Sequence, residues 1–378
     1  MNEPPLENLT LEALQNRALA LEARGEVDEP LALHERLIEL QPTNSRHYAA
    51  AGILLLQKRR FKESADRFGQ AIFYNNQFPE AYHGLASALL QLGHLDLAAE
   101  ACATATKHNP QLTPAYATWA NILQLAGKTD QALAALDQGL AANPNSEELL
   151  FERAALRGES FPAMPPETII RLFDQAAPSF DQHLVGDLHY QGPTYLRQAI
   201  DAVAAQDAVA SNRNFNILDL GCGTGLCGVA FKDISARLVG IDLAPNMVAQ
   251  TKSRAIYHQV HHADLLHFLS STPPNQFDLI LAADVVVYTG DLEPTFAAIA
   301  RILPTAGLFA FTTEKAENTP GSPPFTLQPT TRFAHSLPYL QSLAKSHNLQ
   351  IVFSQERPLR TELQSPIPAW IVVMQRGG

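Results

Sequence analysis

The sequence predicts two fold classes in one chain, a helical solenoid followed by a doubly wound, open α/β sheet (α + α/β). Three observations carry this prediction. Apolar and small residues recur on a 34-residue lattice as far as Pro144, a proline-rich break falls at 158–166, and strand-like and helix-like runs alternate beyond it. A chain of 378 residues accommodates two or three domains.

The lattice is marked by Pro42, Pro110 and Pro144, with Asn76 at the remaining point. Tyr82, Leu85, Ala86, Leu89, Gly93, Ala98 and Ala105 in the third repeat recur as Tyr116, Trp119, Ala120, Leu123, Gly127, Ala132 and Gly139 in the fourth. The second repeat keeps Tyr48, Gly52, Leu55, Phe68 and Ala71, and the first keeps Leu14, Ala18, Leu21, Gly25 and Leu37. Each unit reads as a helix, a Gly or basic turn, a second helix and a stop. The alanines let the two helices approach, and proline cannot continue the hydrogen-bond ladder. One such pair cannot bury its apolar face alone, so neighbours stack. The pattern resembles the tetratricopeptide repeat family, with four repeats over about 11–144 and a capping helix from Ser146 to about Leu156. The domain expectation is a repeat array over 1–157, a linker over 158–166 and a second domain over 167–378.

In the second domain, Asn216–Leu220, Arg237–Leu243, Phe277–Val285 and Gly307–Thr313 read as buried strands, with a further strand ending at Ala263–Leu265. Helical stretches at Leu226–Lys232, Pro245–Ile256 and Leu292–Leu303 lie between them. This alternation predicts a doubly wound sheet. Leu349–Gln355 and Ala369–Gln375 read as an antiparallel hairpin at its edge, which brings the sheet to seven strands.

Composition narrows the partners. Residues 1–166 carry 13 Lys and Arg against 20 Asp and Glu, and residues 167–378 carry 14 against 18. Neither is a basic platform, which argues against nucleic acid, since duplexes are held through their phosphates. The cluster Lys58, Arg59, Arg60 and Lys62 reads as a solvated helix end and turn. No apolar run reaches 18 residues, so no membrane span is expected. The opening residues Met1 to Pro5 lack the blocks of a signal peptide. Three cysteines, Cys102, Cys222 and Cys227, cannot form a disulfide framework, which points to the cytoplasm. No metal site is expected at His258, His261 and His262, which alternate with strand residues and have no matching carboxylate or cysteine.

Four markers carry the chemistry. The first strand runs through Asp219 into Gly221-Cys222-Gly223-Thr224-Gly225, where glycines permit a tight turn and close approach of a ligand to a helix start. The spacing is Gly-x-Gly-x-Gly with no Gly-Lys-Ser/Thr ending, which excludes a P-loop. Asp242, closing Gly240-Ile241-Asp242-Leu243, can accept hydrogen bonds from both hydroxyls of a ribose, or serve as a helix cap. Asp264 can accept from an adenine amino group while Leu265 packs on the ring, or be an exposed loop acid. Ala282, Ala283 and Asp284 close the fourth strand beside the reacting centre.

Together the four markers resemble the class I S-adenosylmethionine-dependent methyltransferases over about 167–378. With Phe173-Asp174, Phe180-Asp181-Gln182-His183-Leu184 and Arg332-Phe333-Ala334-His335-Ser336, the whole chain is similar to bacterial predicted methyltransferases carrying tetratricopeptide repeats. The resemblance implies S-adenosyl-L-methionine as cofactor. Gly221, Gly223 and Gly225 then hold its methionine part, Asp242 its ribose and Asp264 its adenine. Asp219, Cys222, Leu243, Leu265, Ala282 and Ala283 complete the cofactor site. Leu303-Pro304-Thr305-Ala306-Gly307 departs from the usual Pro-Gly-Gly turn of relatives.

The Asn/Asp-Pro-Pro-Tyr/Phe signature of amine methylation is missing after the fourth strand, where Ala283-Asp284-Val285-Val286 stands. An oxygen or carbon of a small metabolite, or a protein-borne acceptor, is expected. Asp284, Tyr288 and His335 are the catalytic candidates, with His183, Tyr190 and Glu314 around the acceptor. His335 is expected in a loop that covers the site, and Phe173, Phe180 and Tyr190 are expected to form a lid. The repeats are expected to dock a protein partner or substrate, or to form a homodimer. The alternative is a repeat scaffold whose second domain binds the cofactor without turnover.

Overall fold

A computed structural model describes residues 9–206, 214–317, 322–362 and 365–378. The chain divides into two compact units, Met1–Leu156 and Arg157–Gly378.

The first unit consists of antiparallel helix pairs: α1 (Leu11–Glu22) with α2 (Asp28–Leu40), α3 (Ser45–Gln57) with α4 (Phe61–Tyr74), α5 (Pro79–Gln91) with α6 (Leu95–His108), and α7 (Thr113–Leu125) with α8 (Thr129–Ala142). Helix α9 (Glu147–Arg157) follows them. The turn inside each pair needs one left-handed residue, supplied by Gly25, Gly93 and Gly127 and, in the second pair, by Arg59 at φ 58°. The second helix of each pair ends two residues before the lattice point. Tyr74 ends α4 before Asn76 just as Leu40 ends α2 before Pro42, so proline is not required for the stop. Ala86, Ala98, Ala120 and Ala132 are buried at the helix contacts, as are the rings of Tyr48 and Tyr116.

The second unit opens with α10 (Pro166–Ala176), a one-turn 3-10 segment at Ala177–Ser179 and a π-helical turn at Gln182–Asp187, followed by α11 (Gly192–Gln206). A strand–helix alternation succeeds them: β1 (Phe215–Leu220), α12 (Leu226–Phe231), β2 (Ser235–Asp242), α13 (Pro245–Ser253), β3 (Gln259–His262), α14 (Leu265–Ser271), β4 (Leu279–Ala282), α15 (Glu293–Ile302) and β5 (Leu308–Lys315). The remaining elements are β6 (Phe325–Leu327), β7 (Phe333–His335), α16 (Leu337–Ser346), β8 (Leu349–Glu362) and β9 (Ser365–Arg376).

Strands β3, β2, β1, β4 and β5 lie side by side in that order and parallel. Strand β9 runs antiparallel to β5, and β8 antiparallel to β9. These are the seven strands expected from the sequence. The β6–β7 hairpin adds two more, and β7 joins β5 only at Glu314 and Lys315, beyond the last β4 pair, Ala282–Phe311. Alternation along β1 sends Leu218 and Leu220 to one core and Ile217 to the other. In the first core Phe296 of α15 meets the stacked rings of Phe309 and Phe311 edge-on.

Two expected boundaries shift. The fourth strand stops at Ala282 because Asp284 takes φ 59°, which strand backbone does not accommodate, and Val286–Tyr288 form a 3-10 turn. Strand β8 continues past Gln355 to Glu362, through polar residues that hide its period.

Candidate functional site

The carboxyl ends of β1, β2 and β4 and the segment after β3 open onto one cleft in the second unit. Open α/β sheets bind ligands at this edge. Gly221 and Gly223 line it with φ 60° and 54°. A side chain at Gly221 would strike Val285 at 2.6 Å, whereas one at Gly223 would meet only the ring of Phe180, at 4.0 Å. The backbone at Gly223 thus faces a space that a Cβ would begin to fill, as a cradle for a ligand requires. Gly225, at φ 93°, starts α12 and packs against Arg254 and Tyr257 rather than lining the cleft.

Asp242 ends β2 and braces this turn. One of its oxygens accepts from the Gly223 amide at 2.8 Å and the other from the Ala244 amide at 2.9 Å. The Leu243 amide also bonds this carboxylate, which leaves it capacity for a further donor. Burial raises its pKa, while the amides at Ala244 and Gly223 oppose that shift. Asp264 lines the cleft and caps α14, accepting from the His267 amide at 2.8 Å through one oxygen. Leu243, Leu265, Cys222 and Ala283 also line it, whereas Ala282 is buried inside β4. Cys222 contributes backbone, its amide held by the Ile241 carbonyl at 2.8 Å, and burial keeps its thiol protonated.

Asp219 stands behind the turn. Burial pushes its carboxyl up to about 7, against the pull of the Tyr257 hydroxyl, which donates to it at 2.5 Å. That hydroxyl also accepts from the Gly228 amide at 2.9 Å, so Tyr257 ties β1 to α12. The sequence reading missed Tyr257, because a lone tyrosine after a helix carries no pattern.

The segment before β1 covers the cleft through two Phe-Asp pairs. Phe173 and Phe180 line it, and each following aspartate fastens the segment to the sheet side. Asp174 accepts from the Asn246 amide at 2.8 Å, capping the start of α13. Asp181 accepts from the Thr224 hydroxyl at 2.5 Å and from Arg254, which also donates to the Thr224 carbonyl. Leu184 and Tyr190 complete this wall.

At the β4 end the cleft is lined by Asp284, Tyr288 and Thr289. The Asp284 amide donates to Thr312 Oγ1 at 2.8 Å, and its carboxylate receives Arg360 at 3.1 Å. Arg360 is fully buried and also donates to Glu314 and, at 2.6 Å, to Glu362. Arg332 pairs with Glu362 and hydrogen-bonds Tyr288. The sequence reading passed over Arg360 and Glu362 because they sit in the polar extension of β8.

His335 requires correction. It lies in β7, fully buried, and does not line the cleft. Its Nε2 donates to the carbonyls of Thr289 and Gly290 at 3.0 and 3.1 Å, and its Nδ1 accepts from Thr313 Oγ1 at 2.6 Å. Burial pulls its pKa down to about 4, so the ring is a neutral brace, with both nitrogens engaged. Glu314 is likewise occupied by Arg360, and half-exposed His183 faces Asp187 at 3.1 Å, so neither lines the cleft.

A parallel sheet with a glycine-rich turn after β1 and acids after β2 and β3 defines a domain built for an adenosine-bearing cofactor. Comparison with known families makes this specific. Residues 217–307 match the methyltransferase domain model and residues 55–119 match the tetratricopeptide repeat model. The second unit thus carries a methyltransferase domain, and the first carries tetratricopeptide repeats.

Among curated relatives, a malonyl-[acyl-carrier protein] O-methyltransferase of Enterobacter lignolyticus is 27% identical over 160 residues, covering 42% of this chain and 59% of its own. A ubiquinone biosynthesis O-methyltransferase of Bartonella quintana is 29% identical over 133 residues, covering 33% and 54%. The chain thus spans little more than half the length of the curated relatives it matches. Among solved structures, magnesium protoporphyrin IX methyltransferase of Synechocystis with bound SAM aligns with a TM-score of 0.41 at 15% identity, covering 58% of this chain and 100% of that one. No helix among the described residues is long and apolar enough to cross a membrane.

Proposed function

We propose that the protein transfers a methyl group from S-adenosylmethionine to an oxygen of a small or protein-borne acceptor, and that its repeats dock the partner that carries or presents this acceptor. The observation that carries the reading is the meeting of Gly221, Gly223, Asp242 and Asp264 in one cleft under an aromatic cover. The donor set fits the cofactor. The open backbone at Gly223 suits the methionine part, the spare capacity of Asp242 suits a ribose hydroxyl, and Asp264 with Leu265 suits adenine. When bound, the cofactor supplies an activated methyl on a sulfonium. The protein's own task is to align the acceptor and exclude water, for which Phe173, Phe180 and Tyr190 supply apolar cover. The curated relatives named above are O-methyltransferases by name, and one of them acts on a carrier-protein-borne group by name. This supports an oxygen acceptor and a use for the repeats.

The test is calorimetric titration of the full chain with S-adenosylmethionine, then turnover against metabolite and protein extracts. Binding with turnover is expected. Asp242→Ala should weaken cofactor binding by roughly 1.5–3 kcal/mol, the scale of hydrogen bonds to a charged group. Unchanged affinity in a variant with native circular dichroism would overturn the assignment, and binding without turnover against every extract would overturn the reaction.

A further inference from the structure

The ionisable side chains lining the cleft are all of one kind. Among the described residues that line it, Asp219, Asp242, Asp264 and Asp284 are acids, and none is Lys, Arg or His. At the β4 end, Arg332 and Arg360 are held by three carboxylates, those of Asp284, Glu314 and Glu362. Two guanidinium groups against three carboxylates leave the cluster one charge negative, with Asp284 as the member that reaches the cleft.

Asp284 is also placed to act. Its amide is fixed by Thr312 and its Oδ1 by Arg360, and among the described residues no hydrogen bond occupies Oδ2. The wall beside it is aromatic. Phe173 meets Tyr288 edge-on at 5.5 Å and Phe180 at 6.0 Å, and Tyr190 lines the same cleft. Such rings accept a flat, apolar body.

We infer that the acceptor is an uncharged, flat hydroxyl compound of phenol type, that Asp284 receives its hydroxyl proton, and that carboxylate acceptors are turned away; this rests on the methyl-transfer reading above. The acceptor oxygen forms a bond to the methyl carbon as the S–CH3 bond breaks. The electron pair of that bond goes to sulfur, giving a neutral thioether, and the O–H proton passes to Asp284 and on to water. A general base serves an acceptor that is protonated at neutral pH. A carboxylate needs none and would face Asp284 as a like charge in a partly desolvated site. This separates the chain from the relative named for a malonyl acceptor, since a malonyl group ends in a carboxylate.

The experiment titrates the full chain, saturated with S-adenosylhomocysteine, with three probes of one shape: 2-naphthol, 2-naphthoate and (2-naphthylmethyl)ammonium. The expected result is 2-naphthol binding at least tenfold tighter than 2-naphthoate, and tighter than the ammonium. Asp284→Asn should shrink the naphthol-to-naphthoate preference at least fivefold. Equal or reversed affinities in the unaltered chain overturn the inference whether or not the variant folds, as does an unchanged preference in a folded variant. Tightest binding of the ammonium overturns it in favour of an amine acceptor. Failure to bind S-adenosylhomocysteine at all would instead overturn the methyl-transfer reading itself.

Discussion

The two units bury different things. Among the described residues of the repeat unit, the buried polar side chains are His34, His47, Ser64 and Thr106, with no Asp, Glu, Lys or Arg. The methyltransferase unit buries Asp219, Glu314, His335 and Arg360, all behind the carboxyl ends of its strands. Burying charge is costly unless it is paired, and the repeat unit avoids that cost by filling its core with alanines and rings. Where a chain of this kind buries ionisable groups in quantity, it is holding a site.

The largest test of this contrast is Arg360→Leu. It strands the carboxylates of Asp284 and Glu314, while Glu362 keeps Arg332, and should destabilise the methyltransferase unit by about 3–5 kcal/mol, read from urea unfolding. A shift below 1 kcal/mol would mean that the network is not structural. In the repeat unit the comparable weak point is steric. A Cβ at Gly84 would lie 2.3 Å from the buried ring of Phe68, so Gly84→Val should cost about 1–3 kcal/mol by overpacking. It should leave S-adenosylmethionine affinity unchanged by calorimetry, and a fall in affinity would blur the division of labour.

The third effect is one of pH. The Asp219 carboxyl, near 7 when folded and near 3.9 in a free chain, holds its proton more tightly in the native state. Between those values the folded state carries more protons, so this residue's contribution to stability declines as pH rises, by at most about 1.4 kcal/mol per unit. His335 acts oppositely, since its folded value near 4 makes its contribution decline as pH falls through the range from about 6.5. Denaturation of the native chain and of Asp219→Asn at pH 5 and pH 8 isolates the first effect. The variant should gain relative stability at pH 8, and a constant difference between the two would contradict it.

The periodic and punctuated features were legible in the sequence. The lattice marked every helix pair because each repeat spends its residues on one local contact. The glycine turn, Asp242 and Asp264 stood out because backbone geometry restricts what can occupy such positions. The β6–β7 hairpin was not legible, since three-residue strands at Phe325–Leu327 and Phe333–His335 are too short to show a period. His335 was misplaced for that reason, and a histidine in an apparent loop invites a catalytic reading that its burial removes. The network around Arg360 is assembled from residues distant in sequence, Asp284, Glu314 and Arg360, which only the folded sheet brings together. The Phe-Asp pairs were visible as motifs, but their fastening partners, Asn246, Thr224 and Arg254, were not.

The placement of β9 also sets the order in which the protein can be assembled. Each helix pair in the repeats finds its partners within a few dozen residues, so the array can form piece by piece as the chain emerges. Strand β5 cannot be completed so early, because Ala310 waits for Val373 and Phe311 for Val372. Until β9 is synthesised, the apolar strand Leu308–Thr313 has an open edge, the kind that pairs indiscriminately with other chains. Sequence-distant pairing of this sort is slow to close. The methyltransferase unit therefore carries the greater aggregation hazard during synthesis, and damage to β9 should harm yield more than an equal loss from the repeats.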